Sequence, residues 1–349
     1  MAAYTTVNNA GAHFNPILYA GTGSSNAITG VGFAPDLVWQ KNRLVSPVNH
    51  ILEDTVRGTD SQLYSSSTST EGTLTNLLTS FDSDGFTAGT SADYNGSGTS
   101  NVAWNWKGGT TTGIAGSPSI TPDSYTFNAT GGFSIIAYTG NGTAGATLPH
   151  GLGTADIGMI IVKGVNLLTD WVTYHKFYGA TKFLDLNTTA AIATSAVMWN
   201  DTEPTSTLFS LGDDNYVNRL SPTTTYIAYV FAEIPGYSKF GKYMGTGNVD
   251  GSYVYTGFRP AFLLLKNSES GGAWHMNDNK RLGYNPDNET VFANTTGAEV
   301  TTDFLDINST GFKIRNTDSA INENGSELVY AAFAESPFVN SEGVPVNAR

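Results

Sequence analysis

Asp82-Ser83-Asp84-Gly85 sets two carboxylates in a short loop, the way a calcium loop begins. Such a loop needs further oxygen ligands and a terminal bidentate glutamate at fixed spacing. Neither follows here. The counterpart Asp306-Ile307-Asn308-Ser309-Thr310-Gly311 makes the same kind of turn without the acid pair, so a β-turn is the reading. The five histidines, His13, His50, His150, His175 and His275, form no H-x-H or H-x-x-x-H pair, which leaves a clustered metal site without local support. His150 precedes Gly151-Leu152-Gly153 and reads as a turn histidine held by backbone. Glu53, Asp54 and Asp278 are the carboxylates to nominate for hydrolysis, although any acidic surface supplies such candidates. There is no G-x-S-x-G elbow and no GxGxxG between a strand and a helix; Gly21-Thr22-Gly23 reads as a hairpin glycine pair. Trp39, Trp104 and Trp106 lie in strand-like runs and read as core, whereas Trp171, Trp199 and Trp274 lie in looser contexts open to surface contact with a sugar ring. The sequence therefore nominates no catalytic residue, no cofactor and no metal ligand, and it leaves binding residues unassigned.

The elements that would position these groups recur three times. Gly32-Phe33-Ala34-Pro35 is followed by the apolar patch Leu37-Val38-Trp39 and then Lys41, where Lys41, Asn42 and Arg43 read as the return to solvent. Gly257-Phe258-Arg259-Pro260 precedes Ala261 to Leu265 and then Lys266; a looser copy is His150 to Gly153, then Met159 to Val162 and Lys163. Upstream of each lysine, at similar separations, stands Tyr-x-Gly-x-Gly, at Tyr19, Tyr138 and Tyr243. Each unit ends in an apolar run: Val102 to Trp106, Ile227 to Phe231 and Val329 to Phe333. Short strands bounded by Gly, Asn and Ser turns at this density predict a two-sheet antiparallel sandwich per unit. Thr189 to Met198 is the best helix candidate.

These boundaries give an N-terminal arm or first edge strand at 1–13 and β-sandwich modules at 14–107, 132–235 and 237–336. A Gly/Thr/Pro-rich linker with a strand at Ser124 to Asn128 fills 108–131, and a tail at 337–349 lies across a surface. The linker predicts a first module free to move or pack separately, while Ile234 to Ser238 is too short for freedom.

With 349 residues the chain can bury sizeable cores. Only 13% of it is charged, against about 25% in ordinary domains. Aromatics at 12%, with 39 Gly and 13 Pro, fit an all-β protein. A net charge of −13 disfavours nonspecific binding to nucleic acid or anionic membrane. No cysteine is present, so disulfides and thiolate metal sites are excluded. MAAYTTVNNA does not read as a secretory signal, and no apolar run approaches the ~18–20 residues of a membrane helix.

GFAPDLVWQKNR at Gly32 to Arg43, the turn Leu77 to Phe86, and Asn101 to Lys107 together resemble a domain repeated in virion proteins of tailed bacteriophages, frequent in phages of marine bacteria and cyanobacteria. Gly132 to Gly142 with His150 to Gly153 looks like a second unit of that kind. The resemblance implies an all-β fold of three tandem, lectin-like jelly-roll sandwiches and a tail-fibre-like or structural role without catalytic residues. Implied alternatives are a capsid decoration or head-fibre protein and a carbohydrate-binding adhesin. The expected partners are further copies of the chain, as a trimer or hexamer, other virion proteins and a host surface glycan, with no nucleic acid and no membrane. The expected location is the virion, after synthesis in the host cytoplasm.

Overall fold

A computed structural model describes residues 5–340 and 342–344, apart from 155, 222, 283, 284 and 286. Among them the chain is almost entirely β, 42% strand and 5% helix. In the first module the strands Phe14–Ala20, Ser100–Trp106, Leu37–Asn42, Ile51–Asp54 and Leu63–Tyr64 lie side by side in that order. A second, three-stranded sheet (Asn26–Thr29, Gly85–Ala88, Leu78–Asp82) covers one face. The second module has a seven-stranded sheet running from Ala193–Thr194 to the edge strand Ser124–Asn128, covered by the pair Ala146–Pro149 and Leu208–Leu211. In the third module the two layers join into one eight-stranded sheet, from Ser238–Met244 to Tyr253–Tyr255.

The centre of each large sheet is built alike. The closing strand (Ser100–Trp106, Thr225–Ala232 or Glu327–Pro337) lies between the module's first strand and its lysine strand, antiparallel to both. Side chains alternate across each closing strand, and both faces are buried over most of its length. Ala103 faces the small sheet of its own module, together with Val38 and Ile51. Val102, Trp104 and Trp106 face the opposite way, into a core shared by all three modules.

At the centre of that core sit Trp106, Phe231 and Phe333, the equivalent residues of the three closing strands. Their ring centroids are 5.9 Å apart for Trp106–Phe231, 5.7 Å for Trp106–Phe333 and 5.7 Å for Phe231–Phe333. A near-equilateral triangle of equivalent residues means that one chain folds as a pseudo-trimer. The first module is therefore not free: it contributes its largest aromatics to the common core. His13 and Lys107 also bind Asn128 across the 108–131 segment.

Three further expectations change. The described residues before Phe14 form no edge strand; Val7 and Ala10 are apolar enough to pack into the shared core, and Ala10–Ala12 is a 3₁₀ turn. The helix expected over 189–198 is reduced to the single turn Ala196–Trp199, preceded by the strand Ala193–Thr194 that pairs with Lys182–Asp185. Alanine content favours a helix there, but edge pairing wins. The start of the tail continues the closing strand to Pro337, whose partner is Phe258. Residues 341 and 345–349 of the tail, like Gly283 and Tyr284 of the third copy, lie outside the described residues.

The repeated Tyr-x-Gly-x-Gly is more than a hairpin glycine pair. Each tyrosine hydroxyl donates to the carbonyl preceding a buried asparagine: Tyr19 to Tyr94 O at 2.7 Å, Tyr138 to Val217 O at 2.6 Å and Tyr243 to Ile321 O at 2.7 Å. The asparagines Asn95, Asn218 and Asn322 accept backbone N–H groups from the glycine turn, as Asn218 does from Asn141 at 2.8 Å. The turn approaches so closely that a Cβ on Gly21 would lie 2.0 Å from Gly96 O, and one on Gly245 would lie 2.0 Å from Glu323 O.

Candidate functional site

Each module meets the next through the last residue of an equivalent strand. Asp54, His175 and Asp278 end Ile51–Asp54, Val172–His175 and His275–Asp278, and pair in register with Leu37, Met159 and Phe262. At the first joint, Asp54 Oδ2 receives Arg57 Nε at 2.7 Å and the Tyr229 hydroxyl of the second module at 2.8 Å. Arg57 also donates to Glu71 at 2.9 Å. At another joint, Asp278 Oδ2 receives Arg281 Nε at 2.7 Å and Trp104 Nε1 of the first module at 3.0 Å. Arg281 extends to Glu299 at 3.1 Å, and Glu299 is bridged by Arg43 of the first module. The remaining joint lacks this carboxylate–arginine pair: His175 Nε2 lies 3.1 Å from Tyr330 O, Tyr178 is bonded to Ser268, and Lys239 of the third module lies 3.6 Å from Glu233 of the second. Burial pushes His175 down to about 4, so it is neutral there at pH 7.

Asp54 and Asp278 thus sit in different joints, each locked by an arginine and an aromatic N–H or O–H donor. Glu53 lies on the other face of its strand, receives Leu78 N at 3.3 Å, and is pushed up to about 8 by burial. The structure does not bring these three carboxylates together as a pair for hydrolysis.

The three recurring lysines do not return to solvent. Lys41, Lys163 and Lys266 are buried, as is Asn42. Lys41 donates to Val48 O at 2.8 Å, and Val48 N in turn bonds Thr296 O of the third module. Lys163 donates to Thr68 O of the first module at 3.2 Å, and Lys266 to Thr189 O of the second at 3.4 Å. Burial lowers each to about 8. Charged strand ends read as exposed in the sequence; here the loop of a neighbouring module closes over Lys163 and Lys266, and a loop of its own module, pinned to the third, closes over Lys41.

All six tryptophans are buried, which removes Trp171, Trp199 and Trp274 as surface platforms. Trp171 Nε1 donates to Tyr64 O and Ser67 O across one joint, and Trp274 Nε1 to Asp185 O across another. His50 holds the equivalent place in the first module, stacked on Trp104 and accepting from Trp39 Nε1 at 3.1 Å. His150 bonds Thr205 O and Leu152 N, as a turn histidine. Asp84 accepts Gly30 N at 3.0 Å and Gly32 N at 2.7 Å, and these bonds hold its carboxyl below the usual range. It is a turn anchor. No cluster of three metal-ligating side chains occurs among the described residues.

The threefold pattern also breaks just before the residues paired with the joint positions. Asp36 precedes Leu37; its equivalents, before Met159 and Phe262, are Gly158 and Ala261. The backbone is the same at all three, with the carbonyl accepting Thr55 N, Lys176 N or Asn279 N. Phe240 covers Gly158 so tightly that a Cβ there would lie 1.9 Å from the ring. Over Asp36 runs instead the 108–126 segment, leaving a cavity of about 470 Å³ lined by Asp36, Thr55, Val56, Thr111 and the stretch Asp123 to Thr126. Thr55 Oγ1 donates to Asp36 Oδ1 at 2.8 Å and Gly108 N to Oδ2 at 2.8 Å. Gly108 is wedged in: a Cβ would lie 2.5 Å from Thr126 Oγ1 and 3.0 Å from Asp36 Cγ. Burial raises the Asp36 carboxyl pKa. Asp36 carried no sequence signal by itself. Aligning the copies would have found it, as an acid where the others carry Gly and Ala.

No curated protein and no solved structure matches the chain. A family model matches residues 9–337, which takes in all three modules. The chain belongs to the family described as Domain of unknown function (DUF7483).

Proposed function

We propose that the chain is a non-catalytic structural protein of a tailed-phage virion, a tail or fibre component that mediates assembly or host-surface contact. The observation that carries this reading is how the ionisable groups are used. Asp54, Asp278 and the three recurrent lysines are engaged where the modules of the pseudo-trimer meet, and Glu53 is buried inside its own module. An enzyme needs converging groups in one cleft, and Asp54 and Asp278 are divided between two joints. The resemblance of Gly32 to Arg43 and its companions to phage virion domains supplies the particle. Further copies, other virion proteins and a host glycan are the partners of this reading.

A capsid decoration role is the second reading. The Trp106–Phe231–Phe333 triangle favours it, because a pseudo-threefold body can seat on a threefold position with one chain.

The test is mass spectrometry and cryo-electron microscopy of purified particles from a culture expressing the chain. The reading expects its peptides in the particle, with density for the three-lobed body on the tail. Density on the capsid would select the second reading, and absence from intact particles would refute both. Incubation with host surface polysaccharide should release no reducing ends over time; steady release, abolished by one Asp→Ala or Glu→Ala change, would refute the non-catalytic part.

A further inference from the structure

We propose that the cavity over Asp36 binds a pyranose unit of a glycan. The cavity exists because one copy of a threefold pattern departs from the other two. The first module puts a carboxylate where its sisters have Gly158 and Ala261, and the 108–126 segment roofs it in place of a packed aromatic. Its volume, ≈ 470 Å³, falls within the ~300–1,000 Å³ of small-molecule clefts.

The lining selects the ligand. Asp36 is held rigidly by Thr55 Oγ1 and Gly108 N, one bond to each oxygen. A carboxylate offers about four lone-pair sites, so acceptor capacity remains for ligand hydroxyls. Asp123, exposed at the rim, is oriented by Thr139 Oγ1 at 2.9 Å. Thr111 and Ser124 add hydroxyls that can donate or accept. Tyr125 is half-buried, with its hydroxyl accepting from Ile114 N at 3.3 Å; its ring and Val56 offer apolar surface to the C–H face of a sugar. No Lys or Arg lines the cavity, and two carboxylates repel anions, which excludes phosphate, sulfate and acidic ligands.

The test uses the full chain and saturation-transfer NMR with titration calorimetry. The probes are glucose, galactose, mannose and N-acetylglucosamine, with calcium chloride alone as control. Asp36→Asn and Asp123→Asn are compared with the parent after circular dichroism confirms folding. Because Asp36 also fixes Gly108, Asp123→Asn and Thr111→Val, both at exposed positions, keep the test decisive if Asp36→Asn unfolds. Saturation transfer to at least one sugar is expected, weakened about tenfold or more by loss of a carboxylate acceptor. The proposal is overturned by no transfer to any of the four sugars, by binding unchanged in the carboxamide variants, or by a response to calcium alone. These outcomes do not depend on where the chain sits in a particle.

Discussion

The hydroxyl of Tyr229, in the second module, donates to the carboxylate of Asp54, in the first, at 2.8 Å, in a joint where both side chains are buried. The bond is shared with Arg57, so the carboxylate keeps a charged partner if the tyrosine is lost. A hydrogen bond to a charged group contributes about 1.5–3 kcal/mol. Tyr229→Phe should therefore lower unfolding stability by about that amount without breaking the fold. A double-mutant cycle with Asp54→Asn, read by urea denaturation, should return a coupling of about 1 kcal/mol or more. Additive effects would show that the two modules do not communicate through this pair.

The shared core predicts one cooperative unit. Trp106→Ala removes one corner of the aromatic triangle, and large-to-small core changes of this type cost ~3–5 kcal/mol. The expected result is a lower melting temperature in a single calorimetric transition, affecting all three modules. A protease should cut first among the exposed residues 110–119. The nicked chain should nevertheless elute as one particle on gel filtration, since the Trp106, Phe231 and Phe333 contacts do not depend on that segment. Separate transitions, or fragments that separate after nicking, would contradict the pseudo-trimer.

The strands were legible and their arrangement was not. Apolar runs such as Val102 to Trp106 and the turn before Phe86 mark strands, because alternation and Gly turns are local signals. That one side of the same run faces the small sheet of its own module and the other a core shared by three modules is a non-local fact. Lys41 shows the difference. A lysine at a strand end reads as solvated, yet its ammonium is enclosed by a loop carrying Val48 that is itself pinned to Thr296. The recoverable signal was the recurrence of that lysine without a recurring acid beside it. Trp171 and Trp274 were misplaced for the same reason: their contexts are loose in sequence, and only the neighbouring module buries them.

Glu53 carries a pH dependence with a definite sign. Burial raises it to about 8 in the folded chain, against an ordinary value of 4.5. A raised carboxyl pKa stabilises the fold below the unfolded value, and that contribution is lost as pH rises from about 4.5 through 8. Glu53→Gln imitates the protonated form and removes the loss. Compared with the parent, the variant should gain roughly 1–4 kcal/mol between pH 5 and pH 9, one unit being about 1.4 kcal/mol. The three lysines act in the opposite direction: lowered to about 8, they add stability as pH rises from 8 towards 10.5. That background is common to both proteins and cancels in the difference. A difference that stays flat across this range in urea titrations would mean Glu53 is ionised in the fold at neutral pH.

Asn218 tests whether the buried asparagines, and not the glycines alone, hold the Tyr-x-Gly-x-Gly turns. Its Oδ1 accepts Asn141 N at 2.8 Å and Gly142 N at 3.1 Å, while its Nδ2 donates to Thr143 O at 3.0 Å and Gly212 O at 2.9 Å. All four bonds satisfy backbone groups, and the residue is fully buried. Asn218→Ala strands these groups, at about 1–3 kcal/mol for each that water cannot reach. Asn218→Asp keeps the two acceptor bonds but turns a carboxylate towards two carbonyl oxygens, so it should be at least as damaging at neutral pH. The damage should be local. Hydrogen exchange should speed up in residues 140–145 and 212–218, while the equivalent turns at Asn95 and Asn322 keep their protection. Tyr138→Phe, which loses only the 2.6 Å bond to Val217 O, should produce a smaller effect at the same place. Equal loosening of all three turns in Asn218→Ala would mean that the asparagines act through the shared core and not through the turn each one holds.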